Sequence, residues 1–209
     1  MSGSIPVWFD DLHVGEITVS ENGAPGFAYT PAWLATAGAF PLSLTLPLRQ
    51  THYPSEIIAP WLANLLPEEE QLLILTRSLG LDRSDTLAVL KEIGGDTAGA
   101  FSFGAKPDRA AWSYIPLTEF YGIKEAGPAL ERHFGDLQQR PFLVGEEGVR
   151  TSLAGGQTKT ALAVLNTAGA PVLRLPVEGD VLAIARGGAP STVFLKPDNS
   201  FLPGITENE

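Results

Sequence analysis

Apolar and polar positions along the first thirty residues fall into short β-like runs separated by turn-forming residues: Ile5 to Phe9, Asp10-Asp11, Val14 to Val19, Glu21-Asn22-Gly23 and Gly26 to Tyr29. Such runs, bounded by Asp, Asn and Gly, predict a small antiparallel meander. Leu42, Leu44, Leu46 and Leu48 then alternate with Ser43, Thr45 and Pro47. That period of two predicts a half-buried strand or extended segment, which the proline places at an edge or a strand end. From Ser55 the period lengthens, with Ile57, Ile58, Trp61, Leu62, Leu65 and Leu66 at helical spacing. Pro67 suits the first position of a second helix, and Glu68, Glu69 and Glu70 in its first turn complement the helix dipole. This helix carries Leu72, Leu73, Leu75 and Leu79 and stops at Gly80. A third helix, Asp85 to Ile93, has Ser84 as its expected N-cap and Gly94-Gly95 as its stop.

Beyond Gly95 the chain is Gly-rich and then extended from Ala100 to Phe103, and Lys106-Pro107-Asp108-Arg109 is the best internal boundary. We therefore expect two subdomains, 1–105 and 106–209. Trp112 to Leu117 predicts a short strand, followed by helical segments at Thr118 to Lys124 and Ala129 to Phe134 that Gly127-Pro128 separates. Four β-like runs follow, at Thr151 to Leu153, Thr160 to Leu165, Val181 to Ala185 and Thr192 to Lys196, with a tight Gly-rich turn at Ala154 to Gln157. The expected class is α+β: a meander with three short helices, then a β-rich subdomain.

With 209 residues, 44% hydrophobic and 18% charged, the chain has the composition of a compact folded protein rather than a disordered or coiled-coil one. Fourteen basic against 24 acidic residues give a net charge of −10, which opposes direct binding to a phosphate backbone. The charge is uneven: residues 1–150 hold 19 acidic and 10 basic side chains, residues 151–209 five and four. The nearly neutral end is the part that tolerates an anionic ligand. There is no cysteine, no apolar run near the ~20 residues of a membrane span, and no signal-like start, so a cytoplasmic location is expected. His13, His52 and His133 are too scattered for a compact metal motif, and no G-x-S-x-G marks a hydrolase nucleophile.

The stretch that invites chemistry is Ser152-Leu153-Ala154-Gly155-Gly156-Gln157-Thr158-Lys159-Thr160. Small residues let a backbone approach phosphate closely, its N–H groups can form an anion nest, and Lys159 adds a charge. A Walker A loop would need glycine where Leu153 and Thr158 stand, and a kinase G-x-G-x-x-G fails at Gln157. On chemistry alone, a plain hairpin turn is favoured over a phosphate cradle. A lysine closing an apolar strand, in Val193-Phe194-Leu195-Lys196-Pro197, adds weight to the second reading, because kinase N-lobes place a loop and then a strand lysine on the ATP phosphates.

At this point the sequence resembles a known family, the HipA-type toxin serine/threonine kinases of bacterial toxin–antitoxin systems. Val7-Trp8-Phe9 with Val14-Gly15 is similar to the family's opening hairpin, Leu42 to Leu48 to its L-S-x-S-L-P-L segment, and Asn64-Leu65-Leu66-Pro67-Glu68 to its N-L-L-P-E/D junction. Gly94 to Ala100 resembles G-x-D-x-x-G-A, and Ser152 to Lys159 resembles S-L-A-G-A-Q-x-K, with Gly156 where the family often has alanine. Pro190-Ser191-Thr192 through Lys196-Pro197, and then Glu207-Asn208-Glu209, are similar to the nucleotide-lysine strand and the start of the next helix.

The resemblance implies γ-phosphoryl transfer from ATP to a serine or threonine hydroxyl, aminoacyl-tRNA synthetases among the targets, and neutralisation by a HipB-type DNA-binding antitoxin. By position, Leu153, Ala154, Gly155, Gly156, Gln157, Thr158 and Lys159 form the ATP phosphate loop, Lys196 contacts phosphate, and Ser152 is the autophosphorylated serine whose modification ejects the loop. The family's catalytic base and Mg²⁺ ligands lie in a helical C-lobe, which we expect outside these 209 residues, so that the chain alone is not competent. The alternative is a naturally short, non-catalytic module that binds an antitoxin or a separate kinase subunit.

Overall fold

A computed structural model describes residues 4–97, 101–155 and 158–197, apart from the Glu69 side chain. The meander forms as the alternation predicts, with β1 (Ser4–Phe9), β2 (Leu12–Val19) and β3 (Pro25–Tyr29). Helices α1 (Pro31–Ala35), α2 (Ser55–Ala63), α3 (Glu69–Leu79) and α4 (Thr86–Ile93) follow. Next come the two-residue β4 (Asp96–Thr97), then β5 (Phe101–Phe103), β6 (Ser113–Pro116), α5 (Leu117–Tyr121) and α6 (Ala126–Leu137). The chain continues through β7 (Thr151–Ser152), β8 (Thr160–Leu165), β9 (Pro171–Val172), β10 (Val181–Arg186) and β11 (Val193–Leu195). The class is α+β, and both larger sheets are antiparallel.

The first sheet has the order β3-β2-β1-β5. Its apolar face and helices α2 to α4 enclose Val7, Ile17, Phe27, Ile58, Leu75, Leu90 and Phe103. The second sheet has the order β11-β8-β10-β6, with β9 extending the β11 side of β8. One of its faces packs Leu162 and Ile184 against Leu117, Ala129 and Leu137 of α5 and α6. The link after α6 serves both cores: Leu143 belongs to the second, while Phe142, Val144 and Leu153 are buried in the first.

Several expectations are corrected in detail. Leu42 to Leu48 is not a strand: Leu42 and Leu46 are buried and Leu44 is exposed. The segment coils because Tyr29 Oη accepts from Leu42 N–H (2.8 Å) and donates to Leu46 C=O (2.5 Å), while Tyr53 Oη donates to Pro47 C=O. Burial pushes the Tyr29 phenol up to about 12. A fourth short helix, α1, is added by Thr30, whose Oγ1 accepts from Trp33 N–H at 3.0 Å. Pro67 does not open α3, because it bridges to Gly155 instead and Glu68 is the N-cap. Asp85, not Ser84, caps α4: its carboxylate accepts from Ala88 N–H at 2.9 Å, while the Ser84 hydroxyl donates to Asp82 at 2.7 Å. Gly127-Pro128 does not separate two helices but lies in the first turn of α6, where a missing N–H costs no intrahelical bond.

Candidate functional site

The Gly-rich stretch is not a hairpin. Its first strand, β7, pairs in parallel with β4 (Asp96↔Thr151, Thr97↔Ser152) and so packs on the N-terminal half, whereas β8 lies in the second sheet. Gly95 makes this pairing possible, since a Cβ there would stand 2.7 Å from Arg150 Cβ and 3.0 Å from Arg150 O. Arg150 itself is pinned by donating to the carbonyls of Lys91 (2.6 Å), Glu92 (2.9 Å) and Phe103 (3.1 Å), the first two at the last turn of α4. Cations are favoured at a helix C-terminus. Burial nevertheless lowers the Arg150 pKa.

The loop is tethered at its entrance and at its exit. Ser152 is fully buried, and its Oγ donates to Leu65 C=O at 2.6 Å. Leu153 fills the first core, Ala154 is exposed, and Gly155 adopts φ +96° while bridging to Pro67. That left-handed φ suits glycine. Gly156 and Gln157 lie outside the described residues, as do Ala98 to Ala100 and Glu207 to Glu209. Thr158 and Lys159 are half-buried, and the Lys159 ammonium donates back across the loop to Ala154 C=O.

At the exit, Thr160 is the register partner of Leu195, which brings the loop's last residues beside the end of β11 and Lys196. Lys196 is exposed just beyond that strand. Phe194, two residues earlier in β11, is 61% exposed. Among the described residues, no group of three or more His, Asp or Glu is arranged to hold a metal ion, and no helix is long and apolar enough to cross a membrane.

Two features around the loop join residues whose pairing nothing in the sequence marks. Beneath its exit, His133 of α6 is 1% exposed, and its Nε2 lies 2.8 Å from Thr160 Oγ1. Its Nδ1 lies 3.0 Å from Tyr121 Oη, which donates to Asp136 at 3.4 Å. Burial drives the His133 pKa down to about 4, opposed by the charge of Asp136. Burial also raises the Tyr121 phenol, and Asp136 adds to the effect. The second feature is a cleft of about 520 Å³ between the two sheets, walled by Phe9, Phe101, Trp112 and Phe194. In it, one carboxylate oxygen of Asp96 accepts from Ser191 Oγ (2.7 Å) and N–H (3.1 Å). Burial raises the Asp96 pKa despite these bonds.

Comparison with known proteins agrees with this architecture. The family model of the HipA N-terminal domain matches residues 5–104. A Sinorhizobium fredii protein named "Putative kinase Y4mE" is 36% identical over 206 residues, covering 97% of this chain and 45% of that protein. The serine/threonine-protein kinase toxin HipA of Shewanella oneidensis is 33% identical over 192 residues, covering 89% of this chain and 39% of the toxin. Among solved structures, the Shewanella oneidensis MR-1 toxin–antitoxin complex of HipA, HipB and its operator DNA matches with a TM-score of 0.61 and 28% identity. That match covers 94% of this chain and 41% of the matched one. The chain thus spans less than half the length of these relatives. Residues 5–104 match the HipA N-terminal domain, and over nearly its whole length the chain is similar to part of the HipA kinase toxin of Shewanella oneidensis.

Proposed function

We propose that this chain is the ATP-holding part of a HipA-type serine/threonine kinase toxin, with 1–105 and 106–209 as its two subdomains. Leu153 to Lys159 cradle the nucleotide phosphates, and Lys196 adds a second positive charge. The observation that carries this reading is the pairing of Thr160 with Leu195, 35 residues later, because it brings the end of the Gly-rich stretch beside the strand that leads into Lys196. Phosphoryl transfer depends mainly on positioning and charge stabilisation, and two lysines beside a loop of small residues suit that need. The exposed Phe194 ring offers an apolar surface to the base. Mg²⁺ ligands and the catalytic base come from outside these residues.

Ser152 is the autophosphorylation site in this reading, and the physiological acceptor is a serine or threonine of a protein such as an aminoacyl-tRNA synthetase. A HipB-type antitoxin is the partner. The net charge of −10 leaves contact with operator DNA to that antitoxin. The test is to incubate the full-length protein with ATP and Mg²⁺ and to locate phosphate by mass spectrometry. Phosphate on Ser152 that disappears in Lys196→Ala supports the reading. A wild-type protein that binds no nucleotide, or a Lys196→Ala protein with normal phosphorylation, overturns it.

A further inference from the structure

The two ends of the Gly-rich stretch are held by different halves of the molecule. The entrance is tied to the N-terminal half through Ser152 and Leu65, and the exit to the helical layer through Thr160 and His133. His133 is buried on α6, and both its ring nitrogens have hydroxyl neighbours. A neutral imidazole has one donor and one acceptor. The arrangement that satisfies every member runs in one direction: Thr160 Oγ1 donates to Nε2, Nδ1 donates to Tyr121 Oη, and Tyr121 donates to the carboxylate of Asp136. Asp136 is in turn flanked by Arg132 and Arg140, each 3.9 Å away. The chain of hydrogen bonds thus links a charge cluster at the C-terminal end of α6 to the first residue after Lys159.

We propose that His133 is a positioning residue for the phosphate loop, acting through the Thr160 hydroxyl to fix where the loop leaves the sheet and hence where Thr158 and Lys159 stand. The proposal rests on the reading of residues 153–159 as a nucleotide-phosphate loop. His133 touches neither nucleotide nor acceptor. A cradle built from a short loop is sensitive to small displacements, because several donors must converge on one phosphate at once.

Two substitutions separate positioning from mere core filling. Glutamine places an amide near the Nε2 position and retains the bond to Thr160, whereas asparagine reaches only the Nδ1 position and Tyr121. Both are amides in the same buried site. In the full-length protein, His133→Asn is expected to raise the apparent KM for ATP about tenfold, the effect of losing roughly one hydrogen bond's worth of orientation, while kcat changes little. His133→Gln restores the wild-type KM. At the other end of the bond, Thr160→Val reproduces the asparagine effect and Thr160→Ser does not, which provides a second pair if either histidine variant folds poorly. Thermal midpoints are recorded alongside. If KM for ATP is the same in the glutamine and asparagine variants, and in the valine and serine variants, with only the midpoints moving, His133 is a structural core residue and the proposal fails. If the wild-type full-length protein binds no ATP, the phosphate-loop reading fails and the proposal falls with it.

Discussion

Ser152 Oγ donates a 2.6 Å hydrogen bond to the carbonyl of Leu65, 87 residues earlier, and no part of Ser152 is exposed to solvent. A phosphate cannot be added to a hydroxyl in that position, so modification requires the entrance of the loop to leave the groove between β4 and the α2–α3 junction. Once added, a charge of roughly −1.5 to −2 cannot return to a buried site facing a carbonyl. Ser152→Asp is expected to imitate this state, with faster amide exchange across residues 151–155 and lost nucleotide affinity. Ser152→Ala removes one hydrogen bond and leaves the Leu65 carbonyl unpaired, at a cost of about 1–3 kcal/mol, but keeps the loop in place. Hydrogen exchange on both variants checks the distinction.

Lys196 is exposed at the strand end, where substitutions change stability little. Lys196→Ala should therefore leave the unfolding midpoint nearly unchanged while lowering kcat for phosphoryl transfer by roughly 10²-fold or more, the scale for removing one preorganised charge from a transferring group. Lys196→Arg keeps the charge but not the point geometry, and should recover only part of the rate. Steady-state kinetics with full-length protein, alongside urea unfolding, tests both halves of this statement.

The buried histidine gives stability a pH dependence with a definite sign. His133 falls from 6.5 to about 4 on folding, so between these values the unfolded state binds more protons and stability rises with pH. The contribution is complete above the unfolded value and is lost as the solution is acidified toward 4, amounting to roughly 3 kcal/mol at most. Asp96 works in the opposite direction: burial raises its pKa, so it favours the folded state at low pH and opposes it once ionised. Accordingly, His133→Gln should flatten the slope of stability between pH 4 and pH 6.5, whereas Asp96→Asn should stabilise the protein at pH 7. Chemical unfolding at several pH values measures both slopes.

The legible features were those coded locally. The meander and the main helices follow from periods of two and of 3.6 in Ile5 to Tyr29 and Ser55 to Ile93, and those periods are properties of neighbouring residues. The Gly-rich stretch stood out because small residues and a lysine share nine positions. The setting of the loop was not. Ser152 with Leu65, Asp96 with Ser191 and His133 with Thr160 are separated by 87, 95 and 27 positions, and nothing local marks the partner. The hairpin expectation failed for the same reason: two β-like runs flanking a glycine pair read as neighbours, but Thr151 and Ser152 take Asp96 and Thr97 as partners. Leu42 to Leu48 misled because two buried tyrosine hydroxyls bind that segment's backbone and override its alternation.

Gly95 offers the sharpest test of how the N-terminal half holds the loop. Its would-be Cβ meets the Cβ and backbone oxygen of Arg150 at 2.7 and 3.0 Å. Neither atom can retreat cheaply: the oxygen accepts from Asp96 N–H at 2.8 Å, and the arginine side chain is fastened to three carbonyls. Gly95→Ala must therefore push β7 off β4, at an overpacking cost of roughly 1–3 kcal/mol, and the shift reaches Ser152 two residues later. Gly135, exposed on α6 with nothing within 4 Å of its would-be Cβ, supplies the contrast. Gly135→Ala should stabilise the protein by about 0.5–1 kcal/mol through helix propensity alone. Denaturation midpoints should move in opposite directions for the two variants, and amide exchange at Thr151 and Ser152 should rise only in Gly95→Ala. Equal exchange in both would mean that the loop entrance is held by Ser152 and Leu65 without help from the β4–β7 ladder.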